Sequence, residues 1–262
     1  MYLKLNYILV IIVILTLNSC NKDVDISDDD NNNPVTERII TLENSYDLQV
    51  DEPSGLSFYE DGNFMTVDDN TNKIFVISPQ GQLISTRNYV GDDLEGVTYN
   101  SKTKTTYVVL EAKRKLIELD TLDNILNEWS FTVNDGVKKN GFEGLTLDIE
   151  NEIFYILNEA SPGLLISWDY KTNKVLEEIE LHFATDYSGI FYDKKDQSLW
   201  IVSDKSQKIF HTNLKGELKE DFDLDYDKAE GIIVDSDNNY IYIARDFDSN
   251  IKLFVYKLSQ KK

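Results

Sequence analysis

Leu94-Glu95-Gly96-Val97-Thr98-Tyr99-Asn100-Ser101-Lys102-Thr103-Lys104-Thr105-Thr106-Tyr107-Val108-Val109-Leu110-Glu111 reads as a short strand, a polar turn and a second, strongly apolar strand closed by an acid. A third strand, KLIELD (115–120), and a more polar fourth, ILNEWSFTV (125–133), complete the unit. Nothing in it has the i, i+3, i+4 spacing of an amphipathic helix. The unit recurs. Its opening appears as Ser54-Gly55-Leu56, Glu95-Gly96-Val97, Glu143-Gly144-Leu145, Ser188-Gly189-Ile190 and Glu230-Gly231-Ile232, with the glycines 41, 48, 45 and 42 residues apart. A polar turn follows in every copy (FYEDGN, YNSKTK, LDIENE, YDKKDQ, VDSDNN), then an apolar strand (FMTV, TYVVL, IFYIL, LWIV, YIYIA). Four strands at this period are the mark of β-propeller blades, each of which can bury its faces only against its neighbours.

The fifth copy ends after its third strand, at about Ser259, and so lacks an outer strand. The segment RIITLENSYDL (38–48) precedes the first copy and can supply it, which closes the ring and removes an open edge. The reading is therefore an all-β, five-bladed propeller of four-stranded blades closed by the N-terminal strand, with six blades the less favoured count. Trp168-Asp169 is the sole WD pair and no GG doublet recurs, which separates the chain from WD40 and kelch repeats.

Residues 1–19 combine one lysine with a long apolar run, and Leu17-Asn18-Ser19-Cys20 resembles the lipobox of bacterial lipoproteins. The expectation is a lipoprotein signal peptide over 1–19, lipidation at Cys20, an acidic flexible tether over 20–36 that includes Asp28-Asp29-Asp30, and a propeller domain over 37–262. That places the chain in the cell envelope of a Gram-negative bacterium, lipid-anchored, with the outer membrane as the expected site. Membrane contact is then through the anchor, and the domain is expected to be monomeric.

With 26 basic against 47 acidic residues the formal charge is −21, which argues against nucleic-acid binding, since phosphate contacts need clustered Lys and Arg. One cysteine and two histidines exclude a disulfide framework and Cys/His zinc sites. No G-x-S-x-G elbow occurs, and His182 and His211 fall in the outer parts of blades, which argues against a Ser-His-Asp hydrolase.

The acids themselves are patterned. The residue before each repeat glycine and the acid closing the second strand are 16 apart in Glu95/Glu111, Glu143/Glu159, Ser188/Asp204 and Glu230/Asp246, and 15 apart in Ser54/Asp69. A blade's inner strand starts, and its second strand ends, on one face near the axis. Glu95, Glu143 and Glu230 should therefore converge at the channel mouth as metal ligands, inside a ring of Ser54, Ser188, Asp69, Glu111, Glu159, Asp204 and Asp246. Converging carboxylates must protonate, hydrate or hold a cation. Oxygen ligands without His or Cys select a hard ion, and Ca2+ tolerates irregular geometry better than Mg2+. A structural reading stays open beside this one: strand-end acids can serve the backbone N–H groups of the next blade.

The five openings DEPSGL, DDLEGV, NGFEGL, DYSGI and KAEGI, in this order, resemble the SdiA-regulated (YjiK-like) family over roughly residues 40–258. The resemblance implies a calcium-associated envelope propeller, distantly comparable with propeller phytases, and places Ser54, Glu95, Glu143, Ser188 and Glu230 at the family's channel-mouth positions. It supplies no catalytic residue. The functional expectation is a calcium-binding lipoprotein propeller with a binding, sensing or scaffold role toward a small ligand or an envelope protein. The alternative is a metal-dependent phosphoesterase, that is, a calcium-dependent phosphoric ester hydrolase. A third option is a glycan- or partner-binding module built on Trp129, Trp168 and Trp200.

Overall fold

The computed structural model describes residues 37–132, 141–160, 162–248 and 250–261. The signal segment, Cys20 and the tether lie outside these residues. Five four-stranded antiparallel sheets form the blades of a propeller. Their inner strands are Pro53–Phe58, Leu94–Asn100, Phe142–Asp148, Gly189–Asp193 and Ala229–Asp235, and each packs against the inner strands before and after it, the fifth against the first.

Burial falls from the axis outward. The second strands Phe64–Asp68, Thr105–Leu110 and Ser198–Ser203 are buried throughout, whereas the outer strands Leu83–Val90, Ile125–Ser130 and Lys174–Glu180 are mostly exposed. This is why the outer strands carry the polar sequences. The apolar core is divided into five clusters, one at each seam between blades. Met65, Val67 and Ile74 of the first blade meet Leu94, Val97 and Val108 of the second, for example. At the next seam Tyr107 meets Phe154 edge to face at 4.8 Å. Each such side chain, fully buried, contributes about 1.5–3 kcal/mol.

Trp168 and Trp200 are each 1 % exposed and belong to two of these clusters. Trp129 is half-buried and sits edge-on against Trp168 at 5.1 Å. Trp168 and Trp200 are therefore used in packing the blades, while Trp129 keeps part of its face on a cavity of about 340 Å3 that Trp168 also lines.

The ring closes through the N-terminal strand. Arg38–Asp47 pairs antiparallel with Lys252–Gln260, from Arg38 opposite Gln260 to Asp47 opposite Lys252, with a bulge between Leu42 and Asn44. Arg38 also reaches the fourth blade: its Nε donates to Glu220 Oε1 at 2.9 Å, and its Nη2 lies 2.7 Å from His211 Nδ1. His211 stacks on Trp200 at 4.4 Å, so the closing strand is pinned to the neighbouring blade as well as to its own.

At the waist of the channel the repeat glycines let inner strands approach to backbone contact. A Cβ on Gly55 would stand 2.7 Å from Glu95 O, on Gly96 2.8 Å from Glu143 O, and on Gly189 2.4 Å from Glu230 O. Four of the five have ordinary backbone angles, so the requirement is close approach between blades rather than a turn.

Candidate metal centre

Four of the inner strands open with a register slip: between Ser54 and Ser57, Leu94 and Val97, Phe142 and Leu145, and Ala229 and Gly231. A bulge sets extra residues against the partner strand and re-aims the side chains there. In each case it falls on the Ser/Glu-Gly step, and Glu95, Glu143 and Glu230 have no partner in their blade's own ladder, whereas Ser54 still pairs with Val67. Those side chains line a cup of about 270 Å3 at one end of the channel. The inner set Ser54, Glu95, Glu143, Ser188 and Glu230 and the outer set Asp69, Glu111, Glu159, Asp204 and Asp246 all lie on its wall.

Within the cup the acids group unevenly. One carboxylate oxygen each from Asp93, Glu95 and Glu111 lie within 4.8 Å of one another, and so do oxygens of Glu111, Glu143 and Glu159. Glu111 is common to both groups. Glu230 stands apart from both, nearer Asp204 and Lys228, although its charge still acts on Glu95 and Glu143. Ser54 Oγ donates to Glu95 Oε2 at 2.6 Å across the first seam. Glu143 and Glu230 accept no hydrogen bond from the described residues.

Part of the outer ring does serve backbone groups. Glu111 Oε1 accepts from Gly141 N at 2.9 Å, and Asp204 Oδ1 from Lys228 N at 2.5 Å, both in the following blade. These two acids therefore tie blades together as well as facing the cup.

The electrostatic consequence is a set of carboxyl groups that resist ionisation. Burial, then the charges of Glu95, Glu111 and Glu230, push Glu143 well above the usual carboxylate range. Burial does the same to Glu95, with Asp69 and Glu111 adding to it and the Ser54 hydrogen bond opposing. Glu230 is pushed up to about 8, chiefly by burial and then by Asp204, with Lys228 opposing. Glu111 and Asp69 are pushed up to about 7, again mainly by burial, with Asp93 and Glu52 as their respective acidic neighbours. Two unit charges under 5 Å apart repel by roughly 3–4 kcal/mol at an effective dielectric near 20. A hard dication removes that repulsion at every pair at once, and an all-carboxylate donor set of this kind fits calcium.

The fold is shared with known proteins. A family model for SdiA-regulated proteins matches residues 40–247, four-fifths of the chain. The chain belongs to the SdiA-regulated family. Among solved structures it is similar to a glutaminyl cyclase from Myxococcus xanthus, at 12 % identity and TM-score 0.65 over 87 % of this chain and 99 % of that one. It is also similar to a streptogramin B lyase (17 % identity, TM-score 0.51, 83 % of this chain and 73 % of that one). A WD40 β-propeller domain of Doa1 is similar at 17 % identity and TM-score 0.54, over 79 % of this chain and 63 % of that one. At such identities the likeness is one of fold.

In this SdiA-regulated chain the cup has a third tier, which the motif reading passed over. Two residues before each inner Ser or Glu stand Glu52, Asp93, Gly141, Asp186 and Lys228. Glu52, Asp186 and Lys228 line the cup, Asp93 joins the first carboxylate group, and Gly141 N is the donor to Glu111. The register was visible in sequence, but the residue type changes from blade to blade, so no motif marks it. Two lysines sit among the acids. Lys205 Nζ is 2.8 Å from Glu159 and 3.5 Å from Asp186, and Lys228 Nζ is 4.0 Å from Asp204. Other basic residues at the strand ends form ordinary ion pairs: Lys115 with Glu128, Lys208 with Asp221 and Asp223, and Arg245 with Asp227.

Proposed function

We propose that this SdiA-regulated propeller is a non-catalytic, calcium-binding lipoprotein of the cell envelope, with a binding, sensing or scaffold role. The observation that carries the calcium reading is the pair of three-carboxylate groups sharing Glu111 at the channel mouth. The ligands in this reading are Asp93, Glu95 and Glu111 in one group and Glu111, Glu143 and Glu159 in the other, while Glu230, expected as a third inner ligand, stands outside both. What the ion supplies is charge neutralisation: it replaces the protons that these groups otherwise retain. Asp204 of the outer ring ties its blade to the next through Lys228 N.

The phosphoesterase reading gains one observation, the presence of Lys205 and Lys228 on the cup wall. Each is already paired with acids, which leaves little positive charge for a phosphate beyond that of an ion. The binding reading is therefore favoured. Calorimetric titration of the purified protein with CaCl2 tests it: saturable binding with proton release, and no calcium-dependent hydrolysis of p-nitrophenyl phosphate, is the expected outcome. Hydrolysis that calcium activates and chelator abolishes would favour the esterase.

The envelope location rests on the N-terminal 20 residues. A Cys20→Ala variant should move from the membrane to the soluble fraction after signal processing. Persistent membrane association would overturn the lipid anchor.

A further inference from the structure

At the other end of the channel, where the inner strands finish, lies a second cavity of about 440 Å3 that shares no lining residue with the acidic cup. Its size falls within the range of small-molecule sites, about 300–1,000 Å3. Its chemistry differs from that of the cup. Phe58, at the end of the first inner strand, meets Phe191 of the fourth blade edge to face at 5.7 Å, and still keeps 36 % of its surface exposed. Thr98 lines the same cavity and is only 6 % exposed, yet its hydroxyl makes no hydrogen bond with the described residues. An apolar ring open to the cavity and a hydroxyl on its wall without a protein partner leave an apolar surface and a hydrogen-bonding group free for a ligand.

The charges on the wall say which kind. Lys102 pairs with Glu150 at 2.7 Å and Lys195 with Asp237 at 3.5 Å. What is left is Asp148, Asp193 and Asp235 against Lys194, an excess of negative charge. Asp148 is saturated by Glu150 N, Asn151 N and the Asn151 side chain. Asp193 accepts only from Lys195 N and the Ser236 hydroxyl, and Asp235 only from the backbone and side chain of Asn238. Each thus keeps about half of a carboxylate's four acceptor positions. Aromatic rings beside spare carboxylate acceptors suit an organic cation, which both attract.

We propose that this cavity is a second ligand site, for a small organic ammonium compound with an apolar body. The body rests against Phe58 and Phe191, the ammonium group faces Asp193 and Asp235, and Thr98 serves a polar substituent. The site is separate from the calcium reading and does not depend on it.

An isosteric charge series tests the proposal by calorimetric titration of the full-length protein: phenethylamine, 2-phenylethanol and phenylacetate. Phenethylamine should bind at least tenfold tighter than 2-phenylethanol, and phenylacetate weakest, equally with calcium or with chelator. Phe58→Ala should weaken phenethylamine at least tenfold. Asp235→Asn should cut the preference for the amine severalfold, Asp193 retaining the rest, and leave 2-phenylethanol unchanged. Asn100 already holds the equivalent turn in the second blade, accepting from Lys102 N and Thr103 N, so this variant is compatible with the fold and carries the test alone if Phe58→Ala does not fold. Equal affinity for the three probes, no binding of any at millimolar concentration, or an amine preference unchanged by Asp235→Asn would overturn the proposal.

Discussion

Gly189 and Glu143 show what single residues contribute to the two halves of the repeat motif. A Cβ at Gly189 would meet the carbonyl oxygen of Glu230 at 2.4 Å, and that oxygen belongs to backbone that cannot swing aside. Gly189→Ala is expected to destabilise by about 1–3 kcal/mol, as overpacking does, and to lower Tm by roughly 2–4 °C per kcal/mol. An unchanged melting curve would mean that the waist is looser than described. Glu143, by contrast, has no hydrogen-bond donor among the described residues, and its surroundings disfavour its own charge. Such a side chain contributes little to folding unless something positive binds it. The channel-mouth residues were legible because equal spacing puts Glu95, Glu143 and Glu230 at equivalent points of successive blades. Asp93, Asp186 and Lys228 were not, because geometry follows register whereas motif reading follows residue type.

Among the elements, the closing strand matters most to the integrity of the ring. Arg38–Asp47 covers Lys252–Gln260, which would otherwise be a free edge nine residues long. Deleting residues 36–48 is expected to expose that edge and to cause aggregation in size-exclusion chromatography, with a lower soluble yield. Deleting residues 21–33 should leave elution and Tm unchanged. Identical behaviour of the two deletions would contradict closure by this strand. The strand order, the polar outer strands and the closure were all readable from the run-out of the fifth repeat. The bulges at the inner strands were not, because a bulge changes pairing without changing the apolar pattern. They matter functionally, since Ser54, Glu95, Glu143 and Glu230 reach the cup at those slips, Ser188 alone doing so without one.

The whole molecule gathers ten of its 47 acids at one end of the channel, and this makes its stability depend on pH with a definite sign. Glu230 titrates near 8 and Glu111 and Asp69 near 7 in the folded state, against about 4 in an unfolded chain. The folded state therefore binds more protons between about pH 4 and 8, so stability is greatest at the acidic side of that window and is lost as pH rises through it. In chelator, Tm should fall steadily from pH 5 to pH 8; a rise over that range would show that the acids are ionised and satisfied without a cation. Calcium takes the place of those protons and should flatten the profile. At a hundredfold excess over Kd it stabilises by about 2.7 kcal/mol, a Tm increase of roughly 5–10 °C for a domain of this size. The most direct measurement is therefore the melting temperature at pH 7.5 with calcium and with chelator, for wild type and Glu143→Gln. Calcium should raise the wild-type Tm, and Glu143→Gln should respond much less while melting in chelator at the wild-type temperature or above. A wild-type curve indifferent to calcium, with Glu143→Gln destabilised, would make Glu143 a structural acceptor and contradict the calcium site.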